Sequence, residues 1–131
     1  MTDEIRKLSK ERLSKAQVAL KEGLVLFEKG FYRGAINRFY YAAFYAARAL
    51  LATKGLDSSK HSGVISLFHE HFVKTKLLDP EKAKALSRSF EKRQDSDYED
   101  FAPVTKEEAQ RVRKEVEAFV SECEKVLRRL T

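Results

Sequence analysis

The sequence is poor in the residues that cross-link or interrupt a chain. Its single cysteine, Cys123, can form neither an internal disulfide nor a cysteine-based metal cluster, which suits a reducing, cytoplasmic setting. There is no tryptophan, and only 5 glycines and 2 prolines are available for turns, nearly all of them expected at the breaks between long periodic segments. No stretch reads convincingly as a strand. No apolar run approaches the roughly 20 residues that a membrane-spanning helix needs, and the N-terminus is charged from its third residue, so neither a membrane span nor a secretion signal is expected. At 131 residues the chain can bury one continuous core without disulfides or a structural metal, and a single domain over residues 1–131 is the expectation.

Charge is present in quantity and unevenly placed. The formal net charge is +6, and residues 31–60, with 5 basic side chains against 1 acidic, carry most of the excess. The same segment is the most aromatic part of the chain. Arginines interleaved with aromatic rings suit a ligand that bears phosphate and can stack.

Hydrophobic periodicity divides the chain into five helical segments. The first is predicted from about Asp3 to Glu28 along Ile5, Leu8, Leu13, Ala16, Leu20, Leu24 and Phe27, ended by Gly30. A second spans about Tyr32 to Lys54 and is closed by Gly55, the residue expected where a chain turns left-handed after a helix. Ser58 or Ser59 is placed to cap a third, running to about Lys74 and burying Val64, Ile65, Phe68 and Phe72. Asp79 and Pro80 supply the cap and first-turn proline of a fourth, expected to fray near Asp95. Thr105 and Glu108 have capping-box spacing for a fifth, which runs to about Leu130 along Val112, Val116, Phe119, Val120, Cys123, Val126 and Leu127. Short connections make neighbours antiparallel. The predicted fold is therefore all-α, an up-and-down antiparallel bundle of four main helices plus one shorter helix.

The second helix separates its chemistry by face. At 100° per residue, Arg33, Asn37, Arg38, Tyr41, Phe44, Tyr45 and Arg48 fall within about 140° of one another. Ala35, Phe39, Ala42, Ala43, Ala46, Ala49 and Leu50 lie opposite, where small side chains permit close helix approach. The guanidiniums of the polar arc have the planar fork that fits phosphate oxygens. The competing reading is packing, with the rings in the core and the arginines reaching past them to acidic neighbours. Arg93 continues the stripe of Ala83, Leu86 and Phe90 on the fourth helix, so it should point toward the bundle or a partner. Asp97, four residues on, is its natural intrahelical ion partner, and the run Asp95, Asp97, Glu99, Asp100 is also a candidate to neutralise the arginine arc.

Three segments, NRFYYAAFYAARALL at 37–51, KHSGVISLFHEHFVK at 60–74 and FEKRQDSDYEDF at 90–101, together resemble the HEPN domain of prokaryotes and higher eukaryotes. The resemblance covers roughly residues 10–128. It implies a helical bundle, a homodimer and a role in nucleotide or RNA biology, often beside a minimal nucleotidyltransferase in paired systems that include toxin–antitoxin pairs. The ribonucleases of this family carry an arginine followed four to six residues later by histidine at the dimer interface, and cleave RNA without metal. Arg93 matches the arginine, but Tyr98 stands where the histidine belongs. A phenol, with an ordinary pKa near 10 against about 6.5 for imidazole, is a weak general base at neutral pH. His61, beside Lys60 in the first turn of the third helix, is the imidazole that would have to substitute, and nothing in the sequence places it near Arg93.

Three functions fit these residues. One is a binding module and nucleotidyltransferase partner that holds nucleotide or RNA through Asn37, Arg38, Tyr41, Tyr45, Arg48 and His61, together with Arg93. A second is a metal-independent ribonuclease in which Arg93 stabilises developing phosphorane charge while Tyr98 or His61 moves a proton. The third is a structural dimer without a small ligand, its arginines satisfied by Asp95, Asp97 and Asp100. No cofactor is expected. No metal is expected either, because His69 and His71 stand about 200° apart on a helix and the acidic run lacks the spacing of a calcium loop.

Overall fold

The computed structural model describes residues 1–98 and 103–131, the side chain of Tyr98 apart. These residues form α1 (Asp3–Glu28), α2 (Tyr32–Thr53), α3 (His61–Phe68), α4 (Pro80–Tyr98) and α5 (Lys106–Leu130), and α3 runs on into a π-helical turn over His69–Val73. No strand occurs among them, and the fold is the all-α bundle of four long helices and a short one that the periodicity predicts. Among the described residues no helix is long and apolar enough to cross a membrane.

The helix ends follow local chemistry. Gly30 and Gly55 adopt φ of 82° and 69°, a conformation that costs glycine little. Each is followed by the paired hydrogen bonds of a Schellman motif: Phe31 N–H donates to the Leu26 carbonyl at 2.9 Å, and Leu56 N–H to that of Leu51 at 3.0 Å. The Asp79 carboxylate accepts from Glu81 N–H at 2.9 Å and so starts α4. Thr105 and Glu108 form the reciprocal capping box of α5, with the Thr105 hydroxyl accepting from Glu108 N–H at 3.1 Å.

Several local expectations are corrected. Neither Ser58 nor Ser59 is the cap of α3; Lys60 holds that position, and the Ser58 hydroxyl instead accepts from Lys60 N–H at 3.2 Å. The regular α-helix stops at Phe68 rather than near Lys74, because the chain widens into i to i+5 bonding, with Lys74 N–H donating to the His69 carbonyl at 2.9 Å. Helix α4 continues past Asp95 to Tyr98. Gly23, Gly34 and Gly63 lie inside helices rather than at breaks.

Helix α2 occupies the centre, packed against α1, α3, α4 and α5. Its alanine face is buried as predicted, and Phe39 and Leu50 on that face are fully enclosed. On α1 the buried stripe consists of Ser9, Ala16, Ala19, Gly23 and Phe27, whereas Leu8, expected inside, is 44% exposed. Small residues face α2 because the two helices approach closely: a Cβ built on Gly23 would stand 2.6 Å from ring carbons of Phe39. All seven apolar positions predicted for α5 are buried. Among them, burial pushes the Cys123 thiol well above its ordinary pKa, reinforced by Glu122 and Glu124.

Two glycine substitutions separate packing from propensity. Alanine gains about 1 kcal/mol over glycine within a helix. At position 23 the added methyl meets an enclosed ring, and overpacking of that kind costs about 1–3 kcal/mol. The net cost is up to about 2 kcal/mol, so Gly23→Ala should lower the melting temperature by up to about 8 °C in calorimetry. At Gly34 the nearest neighbour is a Leu26 methyl at 3.3 Å, which can shift, so Gly34→Ala should leave the melting temperature unchanged or raise it.

Candidate functional site

Tyr40 lies at 300° on the α2 wheel, about 20° outside the predicted polar arc, and is fully buried. Its hydroxyl is 2.6 Å from His61 Nδ1 at the start of α3. The imidazole stacks on Phe44, with ring centroids 4.3 Å apart and planes inclined by 18°, and meets the Tyr41 ring edge-on at 5.8 Å. Phe90 of α4 closes the far side, 5.5 Å from the Tyr40 ring. One turn further along α4, Arg93 sets its guanidinium carbon 5.8 Å from the Tyr40 ring centre and 5.5 Å from that of Tyr41. His61 and Arg93, unrelated in the sequence, thus meet on one pair of tyrosine rings.

Among the described residues Arg93 has a partial counter-ion. Its Nε is 3.0 Å from Asp97 Oδ2, the predicted i,i+4 pair, yet the N–H is not directed at that oxygen and finds no hydrogen-bond acceptor among the described residues. The direction decides the matter: the contact is a Coulombic pair without a formed hydrogen bond, and the side chain keeps 25% of its surface exposed.

The remaining predicted residues divide between this cluster and a neighbouring groove. Arg48 is committed to Asp57, donating from Nε at 3.1 Å and from Nη2 at 2.8 Å. Arg12 of α1 joins the same carboxylate at 3.1 Å and also donates to the Arg48 carbonyl at 3.1 Å. The bond to Arg48 holds the Asp57 carboxyl below its ordinary range, and burial lowers the pKa of Arg12. Arg38 donates to the Asn37 side-chain oxygen at 3.0 and 3.2 Å, lies 3.6 Å from Glu22, and covers the Tyr41 ring at 4.9 Å. Arg38 and Tyr45 line a shallow groove of about 350 Å³ against α1. Tyr41 links the two groups, its ring centroid 5.9 Å from that of Tyr45. Phe44, placed on the polar arc by the wheel, is buried beneath His61. Of the acidic run expected to neutralise the α2 arginines, Asp97 pairs with Arg93 of its own helix, while Glu22 and Asp57 pair with Arg38 and Arg48. The Tyr98 side chain, Glu99 and Asp100 lie outside the described residues.

The HEPN domain family model matches residues 9–126. The chain belongs to the HEPN family. It is similar to two proteins of Methanocaldococcus jannaschii, each named "putative toxin": one is 35% identical over 115 residues, 88% of this chain and 78% of the relative, and the other is 35% identical over 130 residues, 99% and 96%. A UPF0332 protein of Thermotoga maritima is 36% identical over 113 residues, 86% of each chain.

Within this HEPN fold the sequence reading misses Tyr40, Arg12 and Asp57. Tyr40 falls just beyond the arc. For Asp57 a signal exists, since it is the one acid among residues 31–60. Burial, followed by the charges of Arg93 and Arg48, lowers the pKa of His61 below the ordinary imidazole value. An unfolded His61 takes up a proton near pH 6.5 and the folded one resists it, so the unfolded state binds more protons and stability falls as pH drops below that point. The stability advantage of the native chain over His61→Gln should therefore shrink between pH 7.5 and 5.5, as measured by urea denaturation. Asp57→Asn releases two guanidiniums at once. Because Asp57 is 44% exposed, solvent screening limits the loss to about 1–2 kcal/mol, smaller in high salt, and the same denaturation measurement reads it.

Proposed function

We propose that this chain is a nucleotide- or RNA-binding module that acts as a homodimer and as the partner of a minimal nucleotidyltransferase in a two-component, toxin–antitoxin-like system. The observation that carries the reading is the meeting of His61 and Arg93 over Tyr40 and Tyr41. A phosphate placed there finds a guanidinium whose own carboxylate is misaligned, an imidazole edge and tyrosine faces. Asn37, Arg38 and Tyr45 extend the surface toward α1, where a base or further nucleotides would lie, and Arg48 braces the cluster through Asp57. The toxin names of the Methanocaldococcus relatives support a place in such a pair.

A second reading, metal-independent RNA cleavage, draws support from the same observation, because His61 is an imidazole beside Arg93 where the motif position holds Tyr98. In that reaction Arg93 stabilises charge on the phosphorane formed by attack of a 2′-hydroxyl.

Calorimetric titration with ATP, GTP and a short single-stranded RNA at two salt concentrations tests the binding reading. Binding should weaken as salt rises, and Arg93→Ala should lower affinity about tenfold or more. No binding at low salt would overturn it. A metal-free RNA cleavage assay separates the second reading: equal rates for the native chain and Arg93→Ala would end it.

A further inference from the structure

We propose that Tyr40 is a positioning residue that fixes His61 with its proton on Nε2, so that the site presents an imidazole N–H beside the Arg93 guanidinium to an oxyanion of a nucleotide or RNA phosphate. The proposal rests on reading this cluster as the ligand site, and it adds which atom meets the ligand and in what form.

A buried hydroxyl must find an acceptor for its proton. Tyr40 is fully buried, and its hydroxyl has one partner among the described residues, His61 Nδ1 at 2.6 Å. Two arrangements satisfy that distance. If Nδ1 carried the proton and donated to the phenol oxygen, the Tyr40 O–H would be left without an acceptor in the core, a loss of about 1–3 kcal/mol. If instead the O–H donates to the Nδ1 lone pair, both groups are satisfied and the ring proton resides on Nε2. The second arrangement therefore dominates. The phenol keeps the proton it needs for this, since burial, followed by the nearby Tyr41, raises its pKa strongly and outweighs the opposing charge of Arg93.

The ring is also held in place. Phe44 stacks on one face, Tyr41 abuts the edge, and the Tyr40 ring lies 5.6 Å away at 27°. His61 itself is only half-buried, and its Nε2 has no hydrogen-bond partner among the described residues. An uncharged N–H fixed beside a guanidinium is a donor for a phosphate oxygen that needs no rearrangement when the ligand arrives. The same geometry limits what His61 does for RNA cleavage. Its lone pair is already engaged by Tyr40, so at rest it stabilises an oxyanion and does not take the proton of a 2′-hydroxyl.

Long-range ¹⁵N–¹H correlation spectra of histidine-labelled protein read the tautomer directly, with His61 assigned by the signal lost in His61→Gln. Wild-type His61 should show a protonated Nε2 and an unprotonated Nδ1, and Tyr40→Phe should turn this into a mixture of tautomers while circular dichroism confirms a folded chain. Titration with ATP should show Tyr40→Phe and His61→Gln each weakening affinity by roughly five- to tenfold, the worth of one oriented hydrogen bond. The double variant should be no weaker than His61→Gln alone, because Tyr40 acts through that ring. A protonated Nδ1 in the wild type, which needs no variant to observe, would overturn the proposal, as would an unchanged tautomer in Tyr40→Phe or additive losses in the double variant. Failure of the wild type to bind ATP or RNA would overturn the ligand-site reading instead, and the spectra would still decide whether Tyr40 sets the tautomer.

Discussion

Seven buried alanines on α2 set the geometry on which the rest of the molecule depends. A helix at the centre of a bundle has neighbours on several sides, and each can approach closely only where the central helix presents little volume. Alanine provides that clearance without the backbone entropy that glycine would lose. The large side chains of α2, Phe39 and Tyr40, then fill spaces on different sides of the helix: Phe39 packs against Gly23 of α1, and Tyr40 reaches toward α3 and α4. Close approach of α1 and the placement of the candidate site are thus two outcomes of one arrangement.

Electrostatics at the site follow from how its described acids and cations are paired. Asp57 binds the guanidiniums of both Arg12 and Arg48, so two of the basic groups are spent on holding α1, α2 and the segment before α3 together. Among the described residues Arg93 is paired with its misaligned neighbour Asp97 alone. Among the described residues Arg93 is thus incompletely neutralised, and the neighbouring imidazole is held from taking a charge of its own by burial and by the charges of Arg93 and Arg48. An anion gains more from such a site than from a surface patch, because water and salt screen it less.

Much of this architecture was legible in the sequence, where the signal was local. The limits of α1, the glycine ends of α1 and α2, the Asp79 cap and the Thr105 capping box each depend on residues within a few positions of one another. The buried stripe of α5 followed directly from its period. What escaped was non-local or fell near a boundary. Leu8 has the right period, yet the inner stripe of α1 runs through Ser9. The π-helical turn after Phe68 leaves no mark on composition, and a wheel drawn at an even 100° placed Phe44 on the polar arc although it is buried, and left Tyr40, which bonds His61, just outside the arc. Arg12 and Asp57 are 45 residues apart, and His61 reaches Tyr40 across 21, separations on which periodicity is silent.

The enclosure of Cys123 gives the molecule a native gauge of its own opening. Only a thiolate attacks an alkylating or disulfide reagent, and this thiol is held protonated and out of reach in the middle of α5. Modification must wait for α5 to part from the bundle, so its rate would be the reagent's rate with a free thiol scaled down by the population of that opened form. With no other cysteine in the chain, the signal would come from one position, and the opening free energy of the helix that completes the core could be followed without a foreign label.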